Sequence, residues 1–163
     1  MIDTIQSLEK KARQLETTPP QRQHWNDTIQ KYADRFLNEL PTAKGFYPAT
    51  TTNRLGEMEV SKEPQPLDDL IEIIEQEVDH PGIRTASGAH LGYIPGGGVF
   101  PTAMGDYIAA VANKYAGMYQ GGPGPVQLEN SMIRWMCQLV GYPNTALGNL
   151  TSGGSIANLT AIV

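Results

Sequence analysis

Residues 148–163 read GNLTSGGSIANLTAIV, and the fold turns on what this stretch is. Residues Ala146 to Thr151 could form a short strand. The run Thr151-Ser152-Gly153-Gly154-Ser155 is a turn of small residues. From Gly154 onward, Ile156, Leu159, Thr160 and Val163 can share one helical face. Strand, turn and helix together are the unit from which α/β domains are built, and such domains bury a sheet under their helices. Only this one strand is legible, whereas helices recur from residue 2 onward. The chain therefore holds covering helices without the sheet they should cover. It is expected to be the N-terminal fragment of a larger α/β protein, mostly α-helical itself, with at most one or two short strands. A last helix that carries its apolar face to Val163 without a cap agrees with this. The alternative is a complete small helical protein whose last helix frays.

Composition narrows the function classes. The chain has 163 residues, a formal net charge of -5 and 40% apolar residues. Nucleic-acid binding needs clustered Lys and Arg to neutralise phosphates, and no basic run exceeds Lys10-Lys11. No apolar run approaches the roughly 18 residues of a membrane span, so no membrane partner is expected. The N-terminus, MIDTIQSLEKK, lacks the apolar core of a secretory signal, and the expected compartment is the cytoplasm. The single cysteine, Cys137, excludes an internal disulfide and a cysteine-cluster metal site. Its apolar neighbours suggest a buried thiol.

Before residue 80 the pattern is three amphipathic helices. Ile2, Ile5, Leu8, Ala12 and Leu15 recur at helical spacing. Thr17-Thr18-Pro19-Pro20 breaks that helix and starts the next, which carries Trp25, Ile29, Tyr32, Phe36 and Leu40 and stops at Pro41. Residues 41–66 read as a long surface connection. A third helix opens near Pro66, with Asp68 and Asp69 where the macrodipole favours acids, and ends at His80-Pro81-Gly82. Such narrow stripes need a partner surface. Residues 1–80 therefore read as a wrapping segment, and 81–163 as the start of a larger domain. In the second half, Gly88 to Pro101 is glycine-rich, 102–119 reads as a helix, and 121–125 as a sharp loop. A strong helix over 126–140 should turn Leu128, Met132, Trp135, Met136 and Leu139 inward.

The closing turn suits an anion. The first amides of a helix lack internal partners and sit at the positive end of its dipole. Gly153 and Gly154 allow close backbone approach, and Ser155 adds a hydroxyl. Ordinary N-capping by Ser152 or Ser155 explains the same residues and is the commoner use. Gly148 to Ser155 fits the nucleotide-loop spacing G-x-x-x-x-G-K-[ST] except at the lysine, which is Gly154. Without that lysine a triphosphate loses its main charge partner, so the turn favours a single phosphate group.

The ordered set His80-Pro81, His90-Leu91-Gly92-Tyr93-Ile94-Pro95, Gly122-Pro123-Gly124-Pro125-Val126-Gln127-Leu128-Glu129 and Thr151 to Leu159 resembles the N-terminal third of the group II pyridoxal-phosphate-dependent decarboxylases. That family includes the aromatic-L-amino-acid, histidine and glutamate decarboxylases. The resemblance implies a parent enzyme of the fold type I pyridoxal-phosphate transferase class. It implies pyridoxal 5'-phosphate as cofactor, an amino-acid substrate and a homodimer. It places the cofactor phosphate at Gly154 and Ser155, with Gly153 as backbone support. It places Tyr93, Ile94 and Pro95 in the substrate pocket, and Leu128-Glu129 at a helix start close to the active site. No metal is implied. The family's catalytic lysine, histidine and aspartate are expected downstream, so no catalytic residue is assigned here. The chain departs from the family pattern at Ile156, where an acid is usual, at Gly96-Gly97-Gly98, and at Gly122 and Gly124, which replace Ser and Ala. The rival readings are a non-catalytic helical interaction module and another pyridoxal-phosphate activity on the same fold, such as an aldehyde-forming oxidative decarboxylase or a carbon-carbon lyase.

Overall fold

The computed structural model describes residues 1–49 and 54–163. It resolves into two compact units, Met1–Gly98 and Val99–Val163. Helices dominate both, and the described strands are two residues long each, as expected of a mostly helical segment.

The first unit opens with α1 (Ile2–Ala12), which tightens into a 3-10 turn over Arg13–Leu15. Its apolar residues Ile2, Ile5 and Leu8 are exposed. Helix α2 (Pro19–Glu39) starts on a capping box. The Thr18 hydroxyl accepts from the Gln21 amide at 3.4 Å, and the Gln21 side chain accepts from the Thr18 amide at 2.8 Å. Two orphan donors are thereby satisfied reciprocally, and Pro19 takes the first position, where a missing N–H costs nothing. The connection 41–66 is less irregular than its composition suggests. It contains β1 (Phe46–Tyr47) and a one-turn helix, α3 (Arg54–Glu57). Its residues 50–53 lie outside the described residues. Helix α4 (Leu67–Ile73) has Asp68 and Asp69 in its first turn and widens into a π-helical segment over Ile74–Asp79. There the His80 amide reaches back five residues to the Glu75 carbonyl at 3.1 Å. Strand β2 (Gly82–Ile83) then pairs antiparallel with β1, Phe46 opposite Ile83 and Tyr47 opposite Gly82.

Helices α2 and α4 with its π extension are joined by polar contacts. The Tyr32 hydroxyl donates to Asp79 at 2.7 Å and Arg35 pairs with Glu75 at 2.5 Å, while Arg84, just after β2, reaches Glu39 of α2 at 3.4 Å. Burial, followed by the Asp79 carboxylate, pushes the Tyr32 phenol from 10.0 up to about 12. The folded value lies above the unfolded one. The contact therefore stabilises fully below pH 10 and is lost as pH rises through about 12. An alkaline titration followed at the phenolate absorbance should show one group ionising at about 12, absent in Tyr32→Phe. A titration identical in both proteins would refute the assignment.

The second unit contains α5 (Phe100–Ala112), α6 (Pro123–Leu139) and α7 (Gly154–Ile162). Helix α5 ends seven residues earlier than the apolar pattern suggests. Asn113 adopts the left-handed conformation with φ 40°, which Asn tolerates because its short polar side chain can bond locally. Helix α6 begins inside the expected loop, with Pro123 and Pro125 in its first turn. Neither needs an amide proton there. It ends in a Schellman motif. Gly141, at φ 78°, donates to the Gln138 carbonyl, and Tyr142 donates to Cys137.

Three further expectations are corrected. Residues 146–151 form no strand, since a ladder requires a neighbour and no second strand of this unit is described. The α6 face expected to turn inward is exposed: Leu128 at 64%, Trp135 at 54% and Leu139 at 65%, while Ile133 is buried. The pattern is that of a covering helix, but nothing in its own unit is large enough to cover it. Cys137 is likewise half-buried, not buried. Among the described residues the buried hydrophobics are Ala43, Ile71, Ile73 and Ile133.

Candidate functional site

The glycine-serine turn lies in the second unit and Tyr93–Pro95 lie in the first, so each is built separately.

At the turn, Gly153 sits just before α7 with φ 152° and ψ 165°. The first helical bond runs from the Ala157 amide to the Gly153 carbonyl at 3.0 Å. The amides of Gly154, Ser155 and Ile156 therefore precede the helical ladder. Gly153, Gly154 and Ser155 are exposed, and a Cβ built at either glycine would meet open space. Thr151 folds its hydroxyl onto the Gly153 carbonyl at 3.2 Å, and no side chain caps the helix. Capping by Ser152 or Ser155 is thus not what the serines do. The donors present, successive amides with one hydroxyl at a helix N-terminus, fit a phosphate dianion. Pyridoxal phosphate carries such a group.

The segment expected to line a pocket has a pinned root and an open tip. Ser87 is buried and donates to the Ala43 carbonyl at 2.5 Å. Its hydroxyl also accepts from the Ala89 amide at 3.1 Å, and its carbonyl accepts from the His90 amide at 3.0 Å. Gly45 lies so close that a Cβ there would be 2.7 Å from the Ala89 carbonyl oxygen. Beyond His90 the backbone leaves the protein: Tyr93 is 82% exposed and Ile94 fully so. Tyr93 has φ 66°, a conformation a bulky residue adopts only under constraint. Its ring stacks on that of His90, with centroids 6.1 Å apart and planes 15° apart.

At the third quoted motif, Gly122 caps the start of α6, Leu128 is exposed and Glu129 half-buried. Helix α6 is reached through a tight loop, 113–122. The Gly122 amide donates to the Met118 carbonyl at 3.0 Å, and Gln127 reaches the Tyr119 hydroxyl at 3.1 Å.

The first unit also holds a cleft between α2 and the π segment. It has a volume of about 440 Å³ and is lined by residues that include Tyr32, Phe36, Glu39, Asp79, His80 and Arg84. Arg84 is only 7% exposed, and its guanidinium lies 4.9 Å from the Phe36 ring centroid. Sequence reading missed both Arg84 and Ser87, because a buried Arg or Ser has no periodicity signal. The other histidines have structural surroundings: His80 ends the π segment with its ring 4.5 Å from Tyr47, and His24 lies 3.8 Å from Asp68. Among the described residues no His, Cys, Asp and Glu cluster could hold a metal, and no helix is long and apolar enough to cross a membrane.

Comparison with known proteins bears on the family of the chain. The pyridoxal-dependent decarboxylase conserved domain matches residues 48–163. The aromatic-L-amino-acid decarboxylase of Bacillus atrophaeus is 34% identical over 85 residues, which are 52% of this chain and 16% of that protein. The chain thus spans a small part of the length of this relative. A match over residues 48–163 covers most of the chain and decides the family: the chain belongs to the pyridoxal-dependent decarboxylases. The independent-module reading is not favoured, nor is a different activity on the same fold.

Proposed function

We propose that this chain forms part of a pyridoxal-phosphate-dependent amino-acid decarboxylase and supplies its phosphate turn and part of its substrate wall. The observation that carries the reading is the open turn at Gly153–Ser155 inside a segment that matches the family. In the enzyme, Gly154 and Ser155 donate amides and a hydroxyl to the cofactor phosphate, and Gly153 lets the backbone approach. When bound, pyridoxal phosphate supplies an electron sink that accepts the pair released as carbon dioxide leaves. Tyr93, Ile94 and Pro95 contact the substrate side chain and exclude water from it. The name of the Bacillus relative favours an aromatic L-amino acid as substrate.

Residues 1–80 serve as a wrapping and dimerisation segment, and 81–163 begin the cofactor-binding domain. The partner is a second copy. Support comes from α1, whose apolar residues Ile2, Ile5 and Leu8 are exposed and form a stripe that needs a covering surface. The compartment is cytoplasmic. The lysine that binds the cofactor, the histidine and the aspartate lie outside residues 1–163. Borohydride reduction of the loaded enzyme followed by peptide mapping should therefore mark none of Lys10, Lys11, Lys31, Lys44, Lys62 and Lys114.

The test of the turn compares pyridoxal phosphate with pyridoxal. Gly154→Asp places a carboxylate among the phosphate donors. It should weaken pyridoxal phosphate by about tenfold or more, the scale of a lost charge-assisted hydrogen bond, and leave pyridoxal unchanged. Equal loss of both ligands, or loss of neither, would remove the turn from the site. Carbon dioxide release from L-phenylalanine by the wild-type enzyme tests the activity itself.

A further inference from the structure

We infer that His90 is a positioning residue that holds Tyr93 in its projecting, left-handed conformation, and so sets the wall of the substrate pocket. The role in the pocket rests on the decarboxylase reading; the coupling of the two residues does not. Among the described residues only Tyr93 and Asn113 have positive φ without being glycine. Asn113 ends a helix, where that conformation is ordinary. Tyr93 ends nothing. It lies in an exposed segment with a bulky side chain, where left-handed backbone is costly. Something must offset that cost.

Among the described residues, the Tyr93 ring meets that of His90. His90 is the last residue of the pinned root: its amide bonds to Ser87, and Ser87 is fastened to Ala43. The His90 Nε2 is buried and has no hydrogen-bond partner. With no hydrogen bond at that atom, the contact with the Tyr93 ring is the interaction observed for the His90 side chain. The near-parallel, offset arrangement with Tyr93 is a favourable aromatic geometry, and its energy is of the same order as the cost of one left-handed residue. The two rings lie near-parallel across a three-residue step of the backbone. Left-handed Tyr93 at φ 66° is the backbone state in which they do so. The ring is thus presented on a fixed root, and its exposed face is available to a flat or apolar substrate side chain.

The test has two arms. In the isotopically labelled protein, His90→Ala should move the carbon shifts of Tyr93 from left-handed toward extended values and abolish magnetisation transfer between positions 90 and 93. His90→Phe, which keeps a ring, should preserve both. In the pyridoxal-phosphate-loaded enzyme, with L-phenylalanine as probe, His90→Ala should raise KM about fivefold, the factor that corresponds to one aromatic pair, with kcat within about twofold. His90→Phe should restore KM. Unchanged Tyr93 shifts in His90→Ala would overturn the inference, as would loss of the left-handed conformation in His90→Phe. An equal fall in kcat for both variants, with KM unmoved, would also overturn it. An enzyme that releases no carbon dioxide from any L-amino acid, while Tyr93 still responds to His90, would instead sink the decarboxylase reading and leave the coupling standing.

Discussion

Substitution of Gly122 by alanine is expected to cost about 3 kcal/mol, the upper part of the range for overpacking, and to lower the melting temperature of the second unit by on the order of 10 °C. A Cβ at Gly122 would lie 1.9 Å from the Tyr115 carbonyl oxygen and 3.0 Å from its carbonyl carbon. Both are backbone atoms, so no rotamer change relieves the clash. The loop itself must open. Opening it breaks the Gly122 amide bond to Met118 and disturbs the Gly122 carbonyl, which accepts from Val126 at 3.2 Å. The start of α6 is lost with it. Gly124, two residues on, supplies the control. A Cβ there meets nothing within 4 Å, and alanine is the better helix former, so Gly124→Ala should leave stability unchanged or raise it slightly. Serine at 122, the residue usual in the resembling family, should behave like alanine. Calorimetry of the three variants decides the matter. A Gly122→Ala protein as stable as the parent would show that 113–122 is not the rigid connection described. The departure of this chain from the family pattern at Gly122 thus has a local cause in the approach of Tyr115.

Local rules made the first-unit helices legible. The Thr18-Pro19-Pro20 start, the acids opening α4 and the stop at His80-Pro81 each act within one turn, and each element lies where these signals put it. The same holds for the start of α7 at Gly154. Errors arose where a long-range or single-residue effect overrode the local pattern. Asn113 ended α5 through one dihedral, although alanines and apolar residues continued to Ala116. The prolines at 123 and 125 were read as breakers but fall in the one turn of a helix that accepts them. The exposed face of α6 is the more instructive miss. Periodicity reports that a face is apolar, not what it meets. Leu128, Trp135 and Leu139 carry the signature of a buried stripe, and among the residues of α6 only Ile133 is buried. The turn at Gly153–Ser155 was legible because its chemistry is local. The joint around Ser87 was not, since it depends on Ala43 and Gly45, more than forty residues away in sequence.

That joint carries the last expected result. Ser87→Ala should cost about 2 kcal/mol, since a buried carbonyl left without its donor loses roughly its desolvation energy. The Ser87 hydroxyl serves two backbone groups: it donates to the Ala43 carbonyl at 2.5 Å and accepts from the Ala89 amide at 3.1 Å. Ser87 is 5% exposed and Ala43 is buried, so water cannot readily replace the bond between them. Alanine strands the Ala43 carbonyl and releases the Ala89 amide. Gly45→Ala attacks the same joint from the other side, by pushing a Cβ against the Ala89 carbonyl. Either change should free residues 88–98 from the β1–β2 corner while α6 and α7 stay intact. Amide exchange should accelerate at Ala89 and His90 in both variants and remain unchanged over Gln127–Leu139. The double variant should cost less than the sum of the two singles, because a joint already opened by one has little left to lose to the other. Strict additivity, or faster exchange spread evenly over both units, would show that Ser87 and Gly45 do not fasten one shared corner, and that the exposed tip at Tyr93–Pro95 is held by something else.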